Sequence, residues 1–535
     1  MGATRMKKIK RYLLNLVLPV FYYGAVTGIL TAAIVTLYKW CAMHVIEFSM
    51  DAYAYLREHL YWLAAIVPAL FGVAVLLYLV YKKWPNLRGG GIPTSVGILR
   101  GLITFKWLRN LLGGFVLSMC SFLLGVPLGN EGPSVQMGTA IGAATLAPMR
   151  KNQKAWGRYA MTGGACVGFA TATGAPICGI IFAIEEAHER ISPIILLVAT
   201  VSVVFGKITS DLLSPLLGVS TSLFTPMSLE TMGLGSVWIP VVVGLIVGVF
   251  AVLYLSYHKL IRRIVNKTLG KIKSFYKIFA VLLLTLALGL VSTNFISTGH
   301  GLIEELLDGN VALYMIIIAL FVRATMTLFA NSSGVTGGIF LPTLAIGASI
   351  AAILGEVLMM LGLGQEYYSF VLVLGITACI ASMMKMPITA IVFAVEALSC
   401  YNNILHVIVV VAIAFAITEI FRVKSINDKV LENHVEEQSA GKTRKVLEGF
   451  VTVQNDAFAI GKQVRDILWP SNLFVLSITR NPDAEAEVDE HGGKTLHAGD
   501  VLHVRYATYN QPTTNAEIMA IVGEQEIAVQ ETSVV

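Results

Sequence analysis

The chain has 535 residues, of which 56% are hydrophobic and only 13% charged, and its mean hydropathy is +0.73. Soluble domains carry roughly 25% charged residues, so the bulk of this chain sits in lipid and a water-soluble enzyme is excluded. The net charge of +6 is modest, and much of it lies at helix ends and in the tails, which argues against a nucleic-acid partner.

In chain order, a basic cluster comes first: Arg5, Lys7, Lys8, Lys10 and Arg11. No small-residue cleavage site follows it, so it does not read as a removed signal peptide. It is expected to hold the N-terminus in the cytoplasm. Apolar segments long enough to span then recur at Leu13–Trp40, Tyr61–Lys82, Leu108–Leu128, Val237–Leu260, Ile278–Phe295, Val311–Ala330, Val371–Ser382 with its neighbours, and Ile404–Phe421. Between them lie shorter apolar pieces flanked by Gly and Pro, such as Ile177–Ala187 and Ile388–Ser399. At about 1.5 Å per residue these cannot cross a hydrocarbon core of roughly 30 Å. Broken helices are tolerated in a membrane only where protein buries them or where they line a water-filled cavity. That combination predicts a transporter or channel and excludes a simple anchor.

The composition changes after Phe421. Arg422–Lys445 is polar and charged and reads as a linker. Leu447–Val453 and Leu473–Thr479 read as strands, Ile460–Trp469 as a short helix ended by Pro470, and Leu496–Tyr506 alternates around a Gly499-Asp500 turn signal. The expected organisation is a membrane domain over 1–431, a linker over 432–446 and a small α+β domain over 447–527. The six cysteines, Cys41, Cys120, Cys166, Cys178, Cys379 and Cys400, lie in apolar stretches without a C-x-x-C pair and read as small core residues. No metal-ligand spacing appears among the histidines; His188-Glu189-Arg190 lacks the second His of a zinc-protease motif. No cofactor is implied.

A long-range duplication sorts the acidic residues. Pro176–Glu185 aligns with Pro387–Glu396 at an offset of 211 residues (387 − 176). Gly129–Ser134 aligns with Gly338–Thr343 at an offset of 209 (338 − 129), which also brings Gly138 onto Gly347. Glu185 has a counterpart in Glu396, and a role shared by both halves is architectural, such as capping a neighbouring helix. Glu186 faces Ala397 in this alignment and Glu131 faces Phe340. The unpaired carboxylates are the functional candidates, because intramembrane acids are costly and tend to serve a function.

Glu131 sits in a Gly-Asn-Glu-Gly-Pro turn that leads into the helix Ser134–Leu146. Gly337-Gly338-Ile339-Phe340-Leu341-Pro342 and Gly89-Gly90-Gly91-Ile92-Pro93-Thr94 have the same form. Pro suits the first turn of a helix, and glycine lets backbone approach a ligand closely. Each helix N-terminus offers unpaired N–H groups and the positive end of a dipole. Three of them converging on one point would bind an anion without a full positive charge, which leaves the ion free to depart. A carboxylate there competes with the anion when charged and withdraws when protonated, so Glu131 is expected to be both gate and proton carrier.

These three loops resemble the signature regions of the CLC family of anion channels and anion/proton antiporters, and the similarity runs from about Leu87 to Leu431. Phe321-Val322-Arg323 through Asn331-Ser332-Ser333-Gly334 to Pro342 also resembles the family pattern. The resemblance implies an all-α polytopic membrane fold of antiparallel halves with broken helices, a homodimer with a pore in each subunit, and anion coordination by backbone N–H groups near Ile339, Phe340 and Leu341. It makes Glu131 the gating glutamate and Glu186 the internal proton-transfer glutamate found in antiporters and generally absent from the passive channels. The anion-binding positions it implies also include Gly90, Gly129, Asn130, Gly132 and Asn427. Three of these depart from the family: Gly90 stands where a serine is usual, Asn130 where Lys or Arg is usual, and Asn427 where the central tyrosine falls. Together they resemble the fluoride-exporting branch. The implied partners are fluoride or chloride, protons and the bilayer, in the plasma membrane of a prokaryote with both termini cytoplasmic. A passive chloride channel of the same fold is the rival reading, and proton flux separates the two. The terminal domain resembles a TrkA-type C-terminal domain, which implies a small regulatory ligand, such as the nucleotide cyclic di-AMP.

Overall fold

Lipid offers no partner to backbone N–H and C=O groups, so the apolar runs close their hydrogen bonds internally and form helices. The computed structural model describes residues 13–146, 155–225, 227, 229–269, 274–309, 311–439, 443–470, 472–480, 487–489 and 492–532. The basic cluster from Arg5 to Arg11 lies outside the described residues. In the first half the helices are α1 Leu18–Glu58, α2 Leu63–Lys83, α3 Gly91–Leu99, α4 Trp107–Leu123, α5 Glu131–Leu146, α6 Gly157–Thr173, α7 Pro176–Phe182 and α8 Pro193–Leu217. The second half contributes α9 Trp238–Leu269, α10 Ser274–Val291, α11 His300–Leu307, α12 Leu313–Ser333, α13 Phe340–Met360, α14 Tyr368–Met383, α15 Pro387–Glu396 and α16 Ile404–Ile420. Then comes α17, Ile426–Ser439.

Among the described residues nine helical segments are long and apolar enough to cross a membrane. Two of them, Pro193–Leu217 and Phe340–Met360, are absent from the spans expected above. In α8 the apolar pattern is interrupted by Lys207 and Asp211, which pair one helical turn apart and so offset each other's charge. In α13 the Gly-rich loop and Pro342 mask the start of a helix that is buried through most of its length. The segment expected over Leu108–Leu128 is the 17-residue helix α4. The first helix runs on from Trp40 to Glu58.

The duplication seen in sequence is a physical symmetry. α5 and α6 cross where Gly138 meets Gly164, so closely that a Cβ on either would lie 2.0 Å from the other's carbonyl oxygen. In the second half Gly347 of α13 and Gly375 of α14 repeat this contact, with virtual Cβ atoms 2.8 and 2.9 Å from the facing carbonyls. The offsets are the same 209 (347 − 138) and 211 (375 − 164). Close approach of small residues is how helices gain packing in lipid, where no hydrophobic effect drives them together. The two halves meet at equivalent residues: Gly129 N–H donates to Gly338 O and Gly338 N–H donates to Gly129 O, both at 2.7 Å. A reciprocal bond between equivalent positions is what a two-fold axis between the halves produces.

Within the stretch expected to be a linker, Ile426–Ser439 form the helix α17. Its first turn is buried at Ile426, Asn427, Lys429, Val430 and Leu431, and Lys429 Nζ donates to Leu255 O at 3.1 Å. Its charged composition reflects the solvent-facing remainder. Beyond it, β1 Lys445–Thr452, β2 Leu473–Thr479, β3 Glu487–Val488, β4 Val501–Thr508 and β5 Val529–Glu531 form one antiparallel sheet in the order β3-β2-β4-β1-β5, with α18 over Gln511–Val522. β5 pairs with β1, so the lobe extends to Glu531 and not only to Ile527. The helix expected over Ile460–Trp469 is a coil with one 3-10 turn at Val464–Asp466. The positive φ of Gly461 and the Gln463–Thr495 bridge hold that segment out of helical geometry.

The lobe is pinned to the membrane domain by the start of α6. Arg158 donates from Nη1 to Trp469 O and from Nη2 to Glu517 Oε2, both at 2.5 Å. Burial pushes the Glu517 carboxyl up from its ordinary range while Arg158 pulls it down. Tyr159 Oη donates to Asp466 O at 2.7 Å and accepts from Leu468 N–H, and Arg190 Nη2 donates to Ile467 O at 3.1 Å.

The crossing predicts a sharp contrast between two glycines. Gly164→Ala is expected to cost about 3 kcal/mol or more, the upper range of overpacking, because backbone and not a movable side chain blocks the new methyl. Gly72→Ala, where nothing lies within 4 Å of the virtual Cβ, is expected to be neutral or slightly stabilising. Monodisperse yield and thermal unfolding in detergent check both; equal behaviour would contradict the role assigned to the crossing.

Candidate functional site

The site starts from the loops. Gly89 N–H donates to Gly334 O, Gly337 N–H donates to Gly89 O, and the Gly129–Gly338 pair closes the remaining side. A Cβ on Gly91 would lie 2.0 Å from Gly132 O, and one on Gly132 would lie 2.8 Å from Gly338 Cα. Only glycine permits backbones to approach so closely, so the three loops meet as the sequence predicts. Gly90 is the N-cap residue of α3 and Ile339 that of α13, and neither helix has a side-chain cap from that residue. Phe340 and Leu341 form the first turn of α13. Asn130 accepts from the Ser134 N–H and Oγ through its carbonyl, while its side-chain Oδ1 is buried without a hydrogen bond.

Glu131 is fully buried at this junction. Its Oε2 lies 2.4 Å from where a Cβ on Gly129 would stand, with Leu341 beside it, so the carboxylate folds back over the loop junction. Neither oxygen completes a hydrogen bond, although the N–H groups of Glu131 and Leu341 face the carboxylate. The cation whose field reaches it is Lys39 of α1. Lys39 Nζ donates to Thr171 O and Ser220 O, both at 3.2 Å. In the sequence Lys39 is only a lone lysine near the end of an apolar run, and its place beside Glu131 comes from the fold. The matching place in the second half holds Phe340, which packs edge-on against Phe169 and Phe393 at 5.2 and 5.7 Å.

The paired and unpaired glutamates separate in space. Glu185 accepts from the N–H groups of Ile388 and Thr389 at the start of α15, both at 2.8 Å. Glu396 accepts from Ile177 and Cys178 at the start of α7, both at 2.9 Å. Each half thus caps a broken helix of the other. Glu186 lies on a π-helical turn, Ala183–Ala187, that ends α7; such turns concentrate at functional sites. Its side chain is buried and its Oε1 accepts from Asn427 Nδ2 at 2.9 Å. Arg100, just past the end of α3, donates to the carbonyls of Glu186 at 2.8 Å and Ala187 at 3.1 Å and pairs with Glu189 at 2.7 Å. Arg100 also escaped the sequence reading, since only the fold brings it to Glu186. The structure therefore gathers Gly90, Gly129, Gly132, Glu131, Ile339, Phe340 and Leu341 at the loop junction and joins Asn427 to Glu186.

An internally duplicated bundle of broken helices, with helix N-termini meeting at a buried carboxylate, defines a membrane transport fold. A family profile described as voltage gated chloride channel matches residues 72–419, more than half of the chain. The chain belongs to this family, the CLC proteins. It is 28% identical over 439 residues to the "H(+)/Cl(-) exchange transporter ClcA" of Klebsiella pneumoniae, a match covering 80% of this chain and 91% of that protein. The protein of the same name from Salmonella arizonae is similar to the same degree. Among solved structures, a slow cyanobacterial Cl-/H+ antiporter superposes with a TM-score of 0.71 at 22% identity, covering 79% of this chain and 99% of that one. A CLC-type fluoride/proton antiporter gives a TM-score of 0.59 at 19% identity, covering 76% and 96%. These two likenesses establish the fold.

The reciprocal caps predict that Glu185→Ala and Glu396→Ala each destabilise the protein by about 1–3 kcal/mol, the cost of leaving helix-end N–H donors without a partner. Glu186→Ala is expected to spare folding relative to these two and to impair proton flux far more. Thermal unfolding and proton uptake into liposomes, measured on all three variants, check the ordering; matching behaviour of Glu185 and Glu186 variants would refute it.

Proposed function

We propose that this protein exchanges a small halide for protons across the membrane, with Glu131 as gate and proton carrier and Glu186 as the internal proton-transfer residue. The observation that carries the reading is the asymmetry inside the repeat. Two glutamates that recur in both halves are spent on helix caps. The two that do not recur are buried, one over the loop junction and one on a π turn. The curated relatives named as proton/chloride exchangers support the same reading.

Fluoride is proposed to be carried at least as well as chloride. Gly90 and Asn130 lack the side chains that the usual family pattern supplies, and the Asn427 amide donates to Glu186. Anion coordination then falls to backbone N–H groups, which suit a small, strongly hydrated ion that needs close donors. The protein is further proposed to act as a homodimer in a prokaryotic plasma membrane, with both termini in the cytoplasm. The lobe, which resembles TrkA-type C-terminal domains, is proposed to be regulatory and to answer to a small ligand such as a nucleotide.

Flux from proteoliposomes tests the first two points together. The wild type is expected to move protons against an anion gradient and to pass fluoride no more slowly than chloride. Glu131→Gln is expected to abolish proton coupling while some anion flux remains or the protein locks. Unchanged coupling in Glu131→Gln would end the gate assignment, and robust chloride flux with negligible fluoride flux would end the ion assignment.

Removal of the lobe after Ser439 is expected to preserve the proton-to-anion ratio while changing turnover. A changed ratio in the truncated protein would place the lobe inside the transport mechanism. Crosslinking in membranes and site-directed labelling of the two ends check the dimer and the topology; a monomer, or an externally labelled lobe, would contradict them.

A further inference from the structure

Asn427 and Glu186 present an unusual buried pair. Asn427 is 2% and Glu186 8% exposed. One face of the Asn427 amide is used, since Nδ2 donates to Glu186 Oε1 at 2.9 Å. The other face is not, since Oδ1 is buried and has no hydrogen-bond partner. A buried acceptor left unpaired is rare and calls for a reason. The charged groups around Glu186 are Asp428, Arg100 and Glu189. Arg100 donates from Nε and Nη2 to the carbonyls of Ala187 and Glu186 and to the Glu189 carboxylate. Asp428 accepts from Ser425 Oγ at 2.7 Å. The amide of Asn427 is therefore the side chain that meets the Glu186 carboxylate.

We infer that Asn427 is the positioning residue that holds Glu186 in both of its protonation states, its amide donating to the carboxylate and, after rotation about χ2, accepting from the carboxylic acid through the Oδ1 now unpaired. An amide carries donor and acceptor on one planar group of nearly symmetric shape, so either state is met without moving α17. The proton balance is simple. A proton arriving from water forms the O–H bond on Glu186, leaves by the same bond, and is never transferred to the amide. In the orientation seen, Nδ2 meets the carboxylate, and the unpaired Oδ1 is the acceptor that a carboxylic acid would need. The inference rests on the antiport reading, in which Glu186 takes up and releases a proton in each cycle.

Two measurements on the full-length protein test it. In proteoliposomes, Asn427→Leu, close in volume but without hydrogen-bonding atoms, is expected to lower the proton-to-anion flux ratio about tenfold, the effect of one lost hydrogen bond to a charged group. A parallel fall in both fluxes, or an unchanged proton-to-anion ratio, would overturn the inference. The second measurement needs no folding of that variant. Infrared difference spectra of wild-type protein labelled with 13C-asparagine, taken across the protonation of Glu186, are expected to show a shift of a side-chain amide C=O band that is absent in Glu186→Gln. No such shift would overturn the inference. Absence of proton flux in the wild type would instead remove the antiport reading, and the amide band would still report whether Asn427 follows the state of Glu186.

Discussion

A helix that ends inside a membrane exposes N–H groups that lipid cannot satisfy, and the structure is organised around what each such end receives. α7 and α15 receive a permanent partner, because the carboxylates of Glu396 and Glu185 cap them reciprocally across the two halves. α3, α5 and α13 begin at the loop junction, where α3 and α13 have no side-chain cap from their own N-cap residue. The negative group nearest that junction is Glu131, lying over Gly129 without a completed hydrogen bond. A fixed cap stabilises a fold; an end with a movable counter-charge leaves room for a mobile anion. On the proposed reading, one physical need is met permanently at two helix ends and transiently at the others.

On the proposed reading, function is concentrated where the repeat fails, and the same symmetry shows what differs there. The glycine crossings, the Gly129–Gly338 bridge and the reciprocal caps obey the offsets of 209 and 211 residues. Phe340 in place of Glu131 buries an aromatic ring between Phe169 and Phe393, so that end of the second half is filled by an apolar side chain. Ala397 in place of Glu186 leaves α15 as a plain α-helix up to Glu396, while α7 ends in a π turn. An extra residue in that turn is consistent with a side chain being aimed away from the cap position next to it.

Much of this is legible in the residues alone because the repeat is written in types with strong physical meaning: Gly at close crossings, Pro at helix starts, Glu at caps. What escapes is set by tertiary contact. α8 hides its span behind Lys207 and Asp211, whose pairing depends on the helix already being formed. α17 looks like a linker because its composition is charged, yet its first turn is buried and Lys429 finds the carbonyl of Leu255 from another helix. Arg100 is an ordinary surface arginine in sequence and becomes part of the Glu186 surroundings only when α3 delivers it there. Lys429 and Arg100 are satisfied by partners far away in the chain, Lys207 by one a helical turn on, and hydropathy carries no record of any of these partners.

The burial of α17 changes how the lobe relates to transport. Asn427 sits in its first turn, and the chain leaving its far end at Ser439 enters β1 of the lobe at Lys445. Glu186 is attached to the lobe from the other side, because Arg190, four residues on, donates to Ile467 O. Both ends of the Asn427–Glu186 hydrogen bond are thus tied to one soluble body. A third tie, Arg158 to Trp469 and Glu517, fixes that body beside Gly101, whose virtual Cβ lies 2.3 Å from Arg158 Nη2 and whose neighbour Arg100 grips the Glu186 carbonyl. Displacement of the lobe against the membrane domain therefore loads the surroundings of Glu186 through α17 and Arg190, and α6 through Arg158 and Tyr159. On the regulatory reading proposed above, a ligand that moves the lobe acts through these ties.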